Sequence, residues 1–291
     1  MKIAEFYKRQ KHTISFEFFP PKTDEAELKL FETARELKEL SPSFVSVTYG
    51  AMGTTRANTI RIVEKIKNEI GIEAAAHLTC VAHSEEEIEK ILADLQAKGV
   101  ENIVALRGDR PQTPEAAAPS AHGFKYAVEL VRLIRNHPKY GRAFSLAVAG
   151  YPECHVECRD KKKDLEHLKM KVDAGADAII TQLFFNNRDF FDFQERARKI
   201  GINLPIIPGI MPITNGKQIQ KFSEMCGASI PKEMQEVIAR FGEDNASIEA
   251  AGIDYATRQC RELLAGGVKG LHFYTLNKSM ATRRIYQSLD L

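Results

Sequence analysis

The chain has 291 residues, of which 44% are hydrophobic and 27% are charged, as in an ordinary soluble globular protein. Its formal net charge of +2 is too close to zero to indicate a nucleic-acid or membrane partner. No apolar run reaches the length of a membrane span, and the N-terminus lacks the apolar core of a signal peptide. Because the five cysteines are odd in number and widely spread, we expect a cytoplasmic protein with reduced thiols rather than a disulfide framework.

Strand-like and helix-like segments alternate along the whole sequence. Strands are predicted at 14–19, 43–49, 73–79, 102–107, 144–149, 178–184, 205–210 and 270–276. Helices are predicted at 24–40, 55–70, 84–98, 122–136, 164–174, 188–200, 215–225, 231–241, 246–265 and 278–289, and residues 111–120 read as an exposed loop. Ser84 and Glu87 have the spacing of a capping box at the start of one helix.

Eight strands alternating with helices predict an α/β fold, a (β/α)₈ TIM barrel that forms one domain over residues 1–291. The competing fold is an open, doubly wound sheet, which usually carries a nucleotide fingerprint after its first strand. The sequence contains neither G-x-G-x-x-G nor G-x-x-x-x-G-K-[ST], so the barrel is favoured.

The first predicted strand places a carboxylate near its end. Glu17 lies among Phe16, Phe18 and Phe19, and Pro20 and Pro21 end the strand. Apolar neighbours would raise the pKa of Glu17, as a general acid at neutral pH requires. A single strand glutamate is more often a solvent-facing residue, so the remaining strand ends must decide between the two interpretations.

Polar side chains follow most of the other strands, at the end where TIM barrels place their active sites. They are Thr48, Tyr49, His77, Thr79, Arg107, Gly108, Asp109, Tyr151, His155, Thr181, Gln182, Tyr274 and Asn277. This common location predicts an active site at that end of the barrel.

Three short patterns are weaker signals. His77-x-x-Cys80-x-x-His83 and Cys154-His155-x-x-Cys158 resemble metal spacings, but neither finds a clean partner pair, so we expect no metal. The glycine of the Arg107-Gly108-Asp109 tripeptide would let the backbone approach a ligand. The basic run 159–163 is typical of a solvated surface, although a phosphate contact there remains open.

Nine motifs, in order along the chain from Ile14 to Asn277, resemble the 5,10-methylenetetrahydrofolate reductases. They read F-E-F-F-P-P-K-T, F-V-S-V-T-Y-G-A, A-A-H-L-T-C, I-V-A-L-R-G-D, Y-P-E-x-H, K-V-D-A-G-A-D, I-T-Q-L-F-F, I-I-P-G-I-M-P and H-F-Y-T-L-N. The chain is similar in length to the bacterial form, which is a catalytic barrel without the regulatory domain of the eukaryotic enzymes.

The resemblance implies a noncovalent flavin adenine dinucleotide (FAD) at the top of the barrel. NADH or NADPH would reduce the flavin and leave, and methylenetetrahydrofolate would then enter the same face and become 5-methyltetrahydrofolate, a methyl donor for methionine synthesis. The partners implied are therefore the folate substrate and reduced nicotinamide. Dimers and tetramers both occur in the family, so we expect a homo-oligomer.

The resemblance also assigns residues by motif. Glu17 would be the general acid and Asp109 the carboxylate beside the flavin and the pterin. The flavin-contacting positions are Thr48, His77, Leu106, Arg107, Gly108, Asp109, Tyr126, Ala127, Tyr151, His155, Cys158, Asp164, His167 and Lys171. The substrate positions are Glu17, Asp109, Gln182 and Lys278.

Four positions depart from the best-known bacterial member. Lys22 and Lys278 stand where it has Arg, and Met170 replaces a basic residue near the adenosine half. Gly216 stands where it has a Phe that packs on the substrate, so we expect that Gly216→Phe would lower the KM for reduced nicotinamide.

Two alternatives are a non-redox barrel that binds a pterin, of the methyltransferase or pteroate synthase type, and a non-catalytic barrel that serves as a binding scaffold. A pterin-binding enzyme without flavin would be colourless. The combination of Glu17, Asp109 and Gln182 argues against a loss of activity.

Overall fold

The computed structural model describes residues 1–49, 54–81, 83–109, 123–289 and 291, without the side chains of 54–57. Eight parallel strands close into a barrel in sequence order, β1 beside β2 and β8 back beside β1. The strands are β1 (Thr13–Phe18), β2 (Phe44–Val47), β3 (Ala74–Thr79), β4 (Asn102–Leu106), β5 (Ser145–Gly150), β6 (Ala178–Leu183), β7 (Ile206–Ile210) and β8 (Gly270–Tyr274). The predicted TIM barrel is confirmed, and the predicted strand ends differ from these by no more than about two residues.

The helices surround the barrel. They are α1 (Ile3–Arg9), α2 (Asp24–Lys38), α3 (Thr54–Lys65) with a π-helical turn (Ile66–Ile70), α4 (Glu85–Ala97), α5 (Ala127–Asn136), α6 (Lys161–Asp173), α7 (Asn187–Lys199), α8 (Gly216–Cys226), α9 (Lys232–Phe241), α10 (Asn245–Ala265) and α11 (Met280–Gln287). The predicted capping box is present, since Glu87 N donates to Ser84 Oγ and Ser84 N to the Glu87 carboxylate. The predicted loop at 111–120 lies outside the described residues.

Successive side chains along each strand enter two different layers of the core. Phe16 and Phe18 are fully buried in the layer between strands and helices, together with Leu30 of α2. The other face of the strands lines the barrel interior, where Phe44 and Val104 belong to a second buried cluster. Because successive side chains on a strand point to opposite faces, Glu17 lies on the interior face, away from both buried phenylalanines.

The short helix α1 was not predicted. Its Ile3 and Tyr7 are buried in the same cluster as the interior side chains of the barrel. Ile3 N donates to Asn102 Oδ1 at 2.7 Å, and Ala4 N donates to Ser145 Oγ at 3.2 Å. Asn102 and Ser145 are the first residues of β4 and β5, so α1 packs across the N-terminal end of the barrel. The predicted site residues lie at the other end.

No helix within the described part of the chain is long and apolar enough to span a bilayer.

Candidate active site

Four strands bring polar side chains to one point in the barrel interior. Glu17 Oε2 of β1 lies 3.2 Å from His77 Nε2 of β3, at an angle that makes no hydrogen bond. The same oxygen lies 3.4 Å from His272 Nε2 of β8 and 3.3 Å from Ser46 Oγ of β2, which donates to it. Only 16% of the Glu17 side chain is exposed. We call these residues (Glu17, Ser46, His77 and His272) the carboxylate cluster.

The expected direction of the Glu17 pKa is wrong. Desolvation raises the pKa, as the sequence suggested, but the nearby charges of His77 and His272 and the hydrogen bond from His272 outweigh it and lower the pKa to about 2. The sequence argument failed because the sequence neighbours of a strand residue face the other way. Phe16 and Phe18 are packed behind the strand, and Phe19 is 43% exposed.

The buried histidine of β8 was not predicted. His272 is fully buried, and its Nδ1 lies 2.8 Å from Ser15 Oγ, so its two ring nitrogens connect Ser15 to Glu17. Period-two spacing could have found it, because His272 lies two residues before Tyr274 on the same face of β8. The backbone of Glu17 is also fixed, since Thr275 Oγ1 donates to its carbonyl oxygen at 2.6 Å.

A second group of predicted residues lies where β4 and β5 end. Arg107 forms two hydrogen bonds with the Glu157 carboxylate, at 2.8 and 2.7 Å. Gly108 has φ +88°, and a Cβ there would lie 2.9 Å from Thr79 Cβ. A side chain at position 108 would therefore crowd Thr79, and the positive φ itself favours glycine.

The β5 end and α6 place two aromatic rings and a lysine together. Tyr151 and His155 pack edge to face with 4.7 Å between ring centroids. Lys171 Nζ donates to the Ala149 carbonyl at 2.6 Å and lies 5.9 Å from the centre of the Tyr151 ring. Desolvation lowers the pKa of Lys171 to about 8, against the opposing charge of Asp164. Burial raises the pKa of Asp164.

The remaining predicted flavin positions are less enclosed. Thr48 and Leu106 are half-buried at the ends of β2 and β4, and Asp109 and His167 are exposed. Tyr126 and Ala127 begin α5, and Tyr126 is 59% exposed. Cys158 is half-buried, with its thiol 3.8 Å from the Asp160 carbonyl.

The two predicted substrate positions on β6 and after β8 differ in exposure. Gln182 is half-buried near the end of β6, and its Oε1 accepts from Leu183 N at 2.9 Å. Lys278 is exposed and follows two residues with positive φ, Leu276 and Asn277. The Asn277 side chain bonds both N and O of Phe19, so the turn after β8 is fastened to the end of β1.

The residues of the first metal-like pattern have other partners. His77 faces Glu17, Cys80 Sγ lies 3.7 Å from the Arg107 carbonyl, and His83 contacts Tyr49 Oη at 3.0 Å. Across the described ranges, no group of three or more His, Cys, Asp or Glu side chains could hold a metal. In the basic run, Asp160 caps α6 and residues 161–163 are exposed.

The expectation for Gly216 does not fit the packing. Gly216 is buried at the start of α8, and a Cβ there would lie 2.9 Å from Ile238 of α9 and 3.5 Å from Ile248 of α10. A side chain at this position would therefore point into the packing between three helices. Met170, another of the four departures, is 43% exposed on α6.

Comparison with known proteins supports the resemblance over the whole length. The family model described as methylenetetrahydrofolate reductase matches residues 2–290. The 5,10-methylenetetrahydrofolate reductase of Escherichia coli is 40% identical over 278 residues, which cover 96% of this chain and 90% of that protein. The chain belongs to the methylenetetrahydrofolate reductase family. The Arabidopsis thaliana protein named methylenetetrahydrofolate reductase (NADH) 1 is 38% identical over 100% of this chain, but the chain spans only 50% of that protein.

Solved structures show the same fold at low sequence identity. A Clostridium thermocellum protein, described as binding two copies of 5-methyl-5,6,7,8-tetrahydrofolic acid, superposes with a TM-score of 0.69 at 14% identity, covering 98% of this chain and 95% of that one. Dihydropteroate synthase from Xanthomonas albilineans superposes with a TM-score of 0.52 at 11% identity, covering 95% and 91% of the two chains. These likenesses establish the barrel architecture alone.

The residues present fit a flavin dinucleotide. Lys171 supplies a cationic donor near the end of β5, which suits a diphosphate, and Arg107 would supply a second by exchanging its Glu157 partner for a phosphate. His77 Nε2 is buried and lacks a hydrogen bond, so it can bond a ligand placed over the carboxylate cluster. The half-buried Tyr151 ring and the edge-packed His155 supply an aromatic wall.

Proposed function

We propose that the chain is a flavin-dependent methylenetetrahydrofolate reductase that reduces 5,10-methylenetetrahydrofolate to 5-methyltetrahydrofolate with NADH or NADPH, in two successive half-reactions. The observation that carries the proposal is the position of Glu17, an enclosed carboxylate that contacts two imidazoles at the centre of the barrel. The 40% identity to the E. coli reductase over nearly both chains supports it.

FAD would supply the electron-transfer chemistry when bound, accepting a hydride from nicotinamide and passing it to the folate. Cationic, aromatic and hydrogen-bonding side chains would hold the flavin, and these are Arg107, Lys171, Tyr151, His155 and His77. Asp164 would keep the positive charge of Lys171 in place, because its carboxylate favours the protonated amine.

Glu17 would protonate N10 of the substrate. Methylenetetrahydrofolate is a cyclic aminal, and protonation of N10 opens its five-membered ring to an N5 iminium that accepts a hydride. The proton is shared within the carboxylate cluster. Positive charge on His77 or His272 keeps Glu17 ionised, and transfer over 3.4 Å from the His272 imidazolium to the carboxylate would generate the acid.

Asp109 would stabilise the cationic iminium by its negative charge. It lies at the end of β4, two residues after Arg107, and is the last described residue before the gap at 110–122. Gln182, half-buried near the end of β6, would bind both folate and nicotinamide in turn.

The experiment begins with the purified protein. We expect a yellow solution whose flavin is released on denaturation and co-elutes with FAD. Anaerobic NADH or NADPH should bleach the flavin, and methylenetetrahydrofolate should restore the colour. A colourless protein, or a released flavin that elutes only as the mononucleotide, would contradict the proposal.

The remaining parts of the proposal concern organisation. We propose that residues 1–291 act as one catalytic domain, that the chain forms a homo-oligomer and that it works in the cytoplasm. The five free thiols fit a reducing compartment. Light scattering coupled to size-exclusion chromatography would test the oligomer directly.

A further inference from the structure

The pairing between β6 and β7 is interrupted beside Gln182. Ile180 pairs with Ile207, but the next pair is Leu183 with Gly209, so three steps along β6 match two steps along β7. This one-residue excess is a β-bulge, and Pro208, which has no N–H to donate, lies opposite it. Because a shift of one residue exchanges the faces that side chains occupy, the bulge decides how Gln182 is presented.

The side chain of Thr181 supplies a hydrogen bond where the backbone pairing is interrupted. Gly209 N donates to Thr181 Oγ1 at 2.9 Å, and the Thr181 side chain is fully buried. On the other side, Tyr274 Oη donates to the Thr181 carbonyl at 2.6 Å. Two backbone groups at the bulge, Gly209 N–H and the Thr181 carbonyl, are thus satisfied by side chains of β6 and β8.

The packing around the bulge leaves no room for a side chain at position 209. A Cβ at Gly209 would lie 2.3 Å from the Thr181 carbonyl oxygen and 2.6 Å from Tyr274 Cε2. Tyr274 pairs in register with Glu17 and packs edge to face on His272 at 5.5 Å. The bulge is therefore held rigidly against the strand pair that carries the carboxylate cluster.

We propose that Thr181 is a positioning residue of the reductase: its hydroxyl fixes the β6 bulge that presents Gln182 to folate and nicotinamide. This inference rests on the proposed function, because it assumes that Gln182 contacts both substrates. The Thr181 side chain is fully buried. It acts by satisfying Gly209 N, and Tyr274 acts with it by satisfying the Thr181 carbonyl.

The decisive variant is Thr181→Val, which keeps the shape and leaves Gly209 N without its buried acceptor. We expect the dissociation constant of 5-methyltetrahydrofolate, measured by calorimetry without turnover, to rise about tenfold, as for loss of a buried hydrogen bond. The KM for folate and for NADH should rise alike. Flavin content should not change, since the flavin positions lie on other strands. Thr181→Ser keeps the hydroxyl and should restore binding.

A double-mutant cycle separates positioning from a general loss of stability. In a Gln182→Ala background, Thr181→Val should weaken 5-methyltetrahydrofolate binding no further, because its effect passes through Gln182. Additive effects, or a Thr181→Ser variant as weak as Thr181→Val, would overturn the inference. If Thr181→Val does not fold, Tyr274→Phe replaces Thr181→Val in the same cycle. Additive effects of Tyr274→Phe and Gln182→Ala would then overturn the inference.

Thr257→Val is the matched control. Thr257 is also a buried threonine, and its hydroxyl donates to the Ile253 carbonyl at 2.8 Å within α10. Thr257→Val should leave folate binding unchanged. A loss of folate affinity as large as that of Thr181→Val would overturn the inference. If the wild type binds no folate, the proposed function fails. If it binds folate and Thr181→Val binds as tightly, the positioning role alone fails.

Discussion

Glu17 Oε2 lies 3.2 Å from His77 Nε2, across the barrel interior from β1 to β3. An enclosed carboxylate normally has a raised pKa because burial disfavours its charge. Here the two imidazoles reverse the direction and lower the pKa of Glu17 to about 2. The low pKa of Glu17 therefore depends on the whole carboxylate cluster, and each of its two histidines contributes to it.

His272→Gln tests this coupling. Removing one cationic neighbour should raise the pKa of Glu17, so the acid stays protonated to higher pH. Infrared difference spectra of the Glu17 carboxyl band, assigned with Glu17→Gln, should therefore show the protonated form persisting to higher pH than in the wild type. Glutamine can still bond Ser15, which limits disruption of the core.

His83→Gln is the control for the His272 variant, because His83 contacts Tyr49 and the Val81 carbonyl rather than Glu17. Its Glu17 carboxyl titration should match the wild type. A Glu17 carboxyl titration that stays in place or moves to lower pH in His272→Gln would contradict the coupling.

We expect Lys171 to make the affinity for FAD depend on pH. Desolvation lowers its pKa to about 8, below the ordinary value for lysine, so the amine loses its charge within an accessible range. Only the protonated amine attracts a phosphate. The affinity of the apoprotein for FAD should be constant below pH 8 and fall above it, by up to about tenfold per pH unit.

The measurement is quenching of FAD fluorescence by apoprotein between about pH 6.5 and 9.5. Lys171→Arg should give a flat profile, because the guanidinium does not lose its proton in this range. A wild-type affinity independent of pH would show that this amine does not face the diphosphate.

Gly216→Phe should destabilise the protein. A Cβ at position 216 already lies 2.9 Å from Ile238, so a phenyl ring would overpack the contact between α8, α9 and α10. Overpacking typically costs about 1–3 kcal/mol, which thermal unfolding would detect as a lower Tm. The KM for nicotinamide should not fall. Adding Ile238→Ala makes room and should recover part of the lost stability, and a Tm unchanged by Gly216→Phe alone would contradict this packing.

The barrel could be predicted from the sequence because period-two and helical patterns recur along the chain, and the same alternation shows which strand ends meet. What the sequence could not show was which side chains share a face across strands that are distant in the chain. Glu17 and His272 are 255 residues apart and meet only when β8 closes onto β1. The pKa of Glu17 was misjudged for that reason, since its sequence neighbours are on the other face.

Helix α1 and the β6 bulge were missed for different physical reasons. The segment Ile3–Arg9 is too short to be a stable helix by itself, so tertiary contacts of Ile3 and Tyr7 with the barrel hold it. The bulge depends on Thr181 bonding Gly209 and Tyr274, two partners on other strands. Only the assembled barrel reveals either.

Asp109→Asn should raise the midpoint potential of the bound flavin. A negative charge near the flavin opposes its anionic reduced form, so neutralising that charge favours reduction. The folate half-reaction should slow as well, because the iminium loses a stabilising charge. Spectroelectrochemical titration gives the potential, and an unchanged or lower value would show that this carboxylate does not face the flavin. Asp173→Asn, an exposed α6 residue paired with Lys169, serves as a control for loss of one surface charge.

Glu17→Gln separates the two half-reactions, because only one of them needs the acid. Electron transfer from nicotinamide to flavin requires no proton on N10, so reduced nicotinamide should bleach the flavin of the variant at nearly the wild-type rate. Opening the methylene bridge does require that proton. Glutamine retains the size and hydrogen-bonding ability of the side chain but has no acidic proton. The folate half-reaction should fall by at least the roughly 10²–10⁴-fold that general acid catalysis contributes.

Anaerobic stopped-flow absorbance of each half-reaction measures the two rates for Glu17→Gln independently. Ser46→Ala is the matched variant, since it removes a hydrogen-bond donor to the same Glu17 oxygen while leaving the carboxyl group in place. It should slow folate reduction far less than Glu17→Gln. If both half-reactions of Glu17→Gln slow together, Glu17 is a structural or binding residue. If neither slows, another group delivers the proton. The first residue to replace is then His272, the buried imidazole of the carboxylate cluster that contacts Ser15.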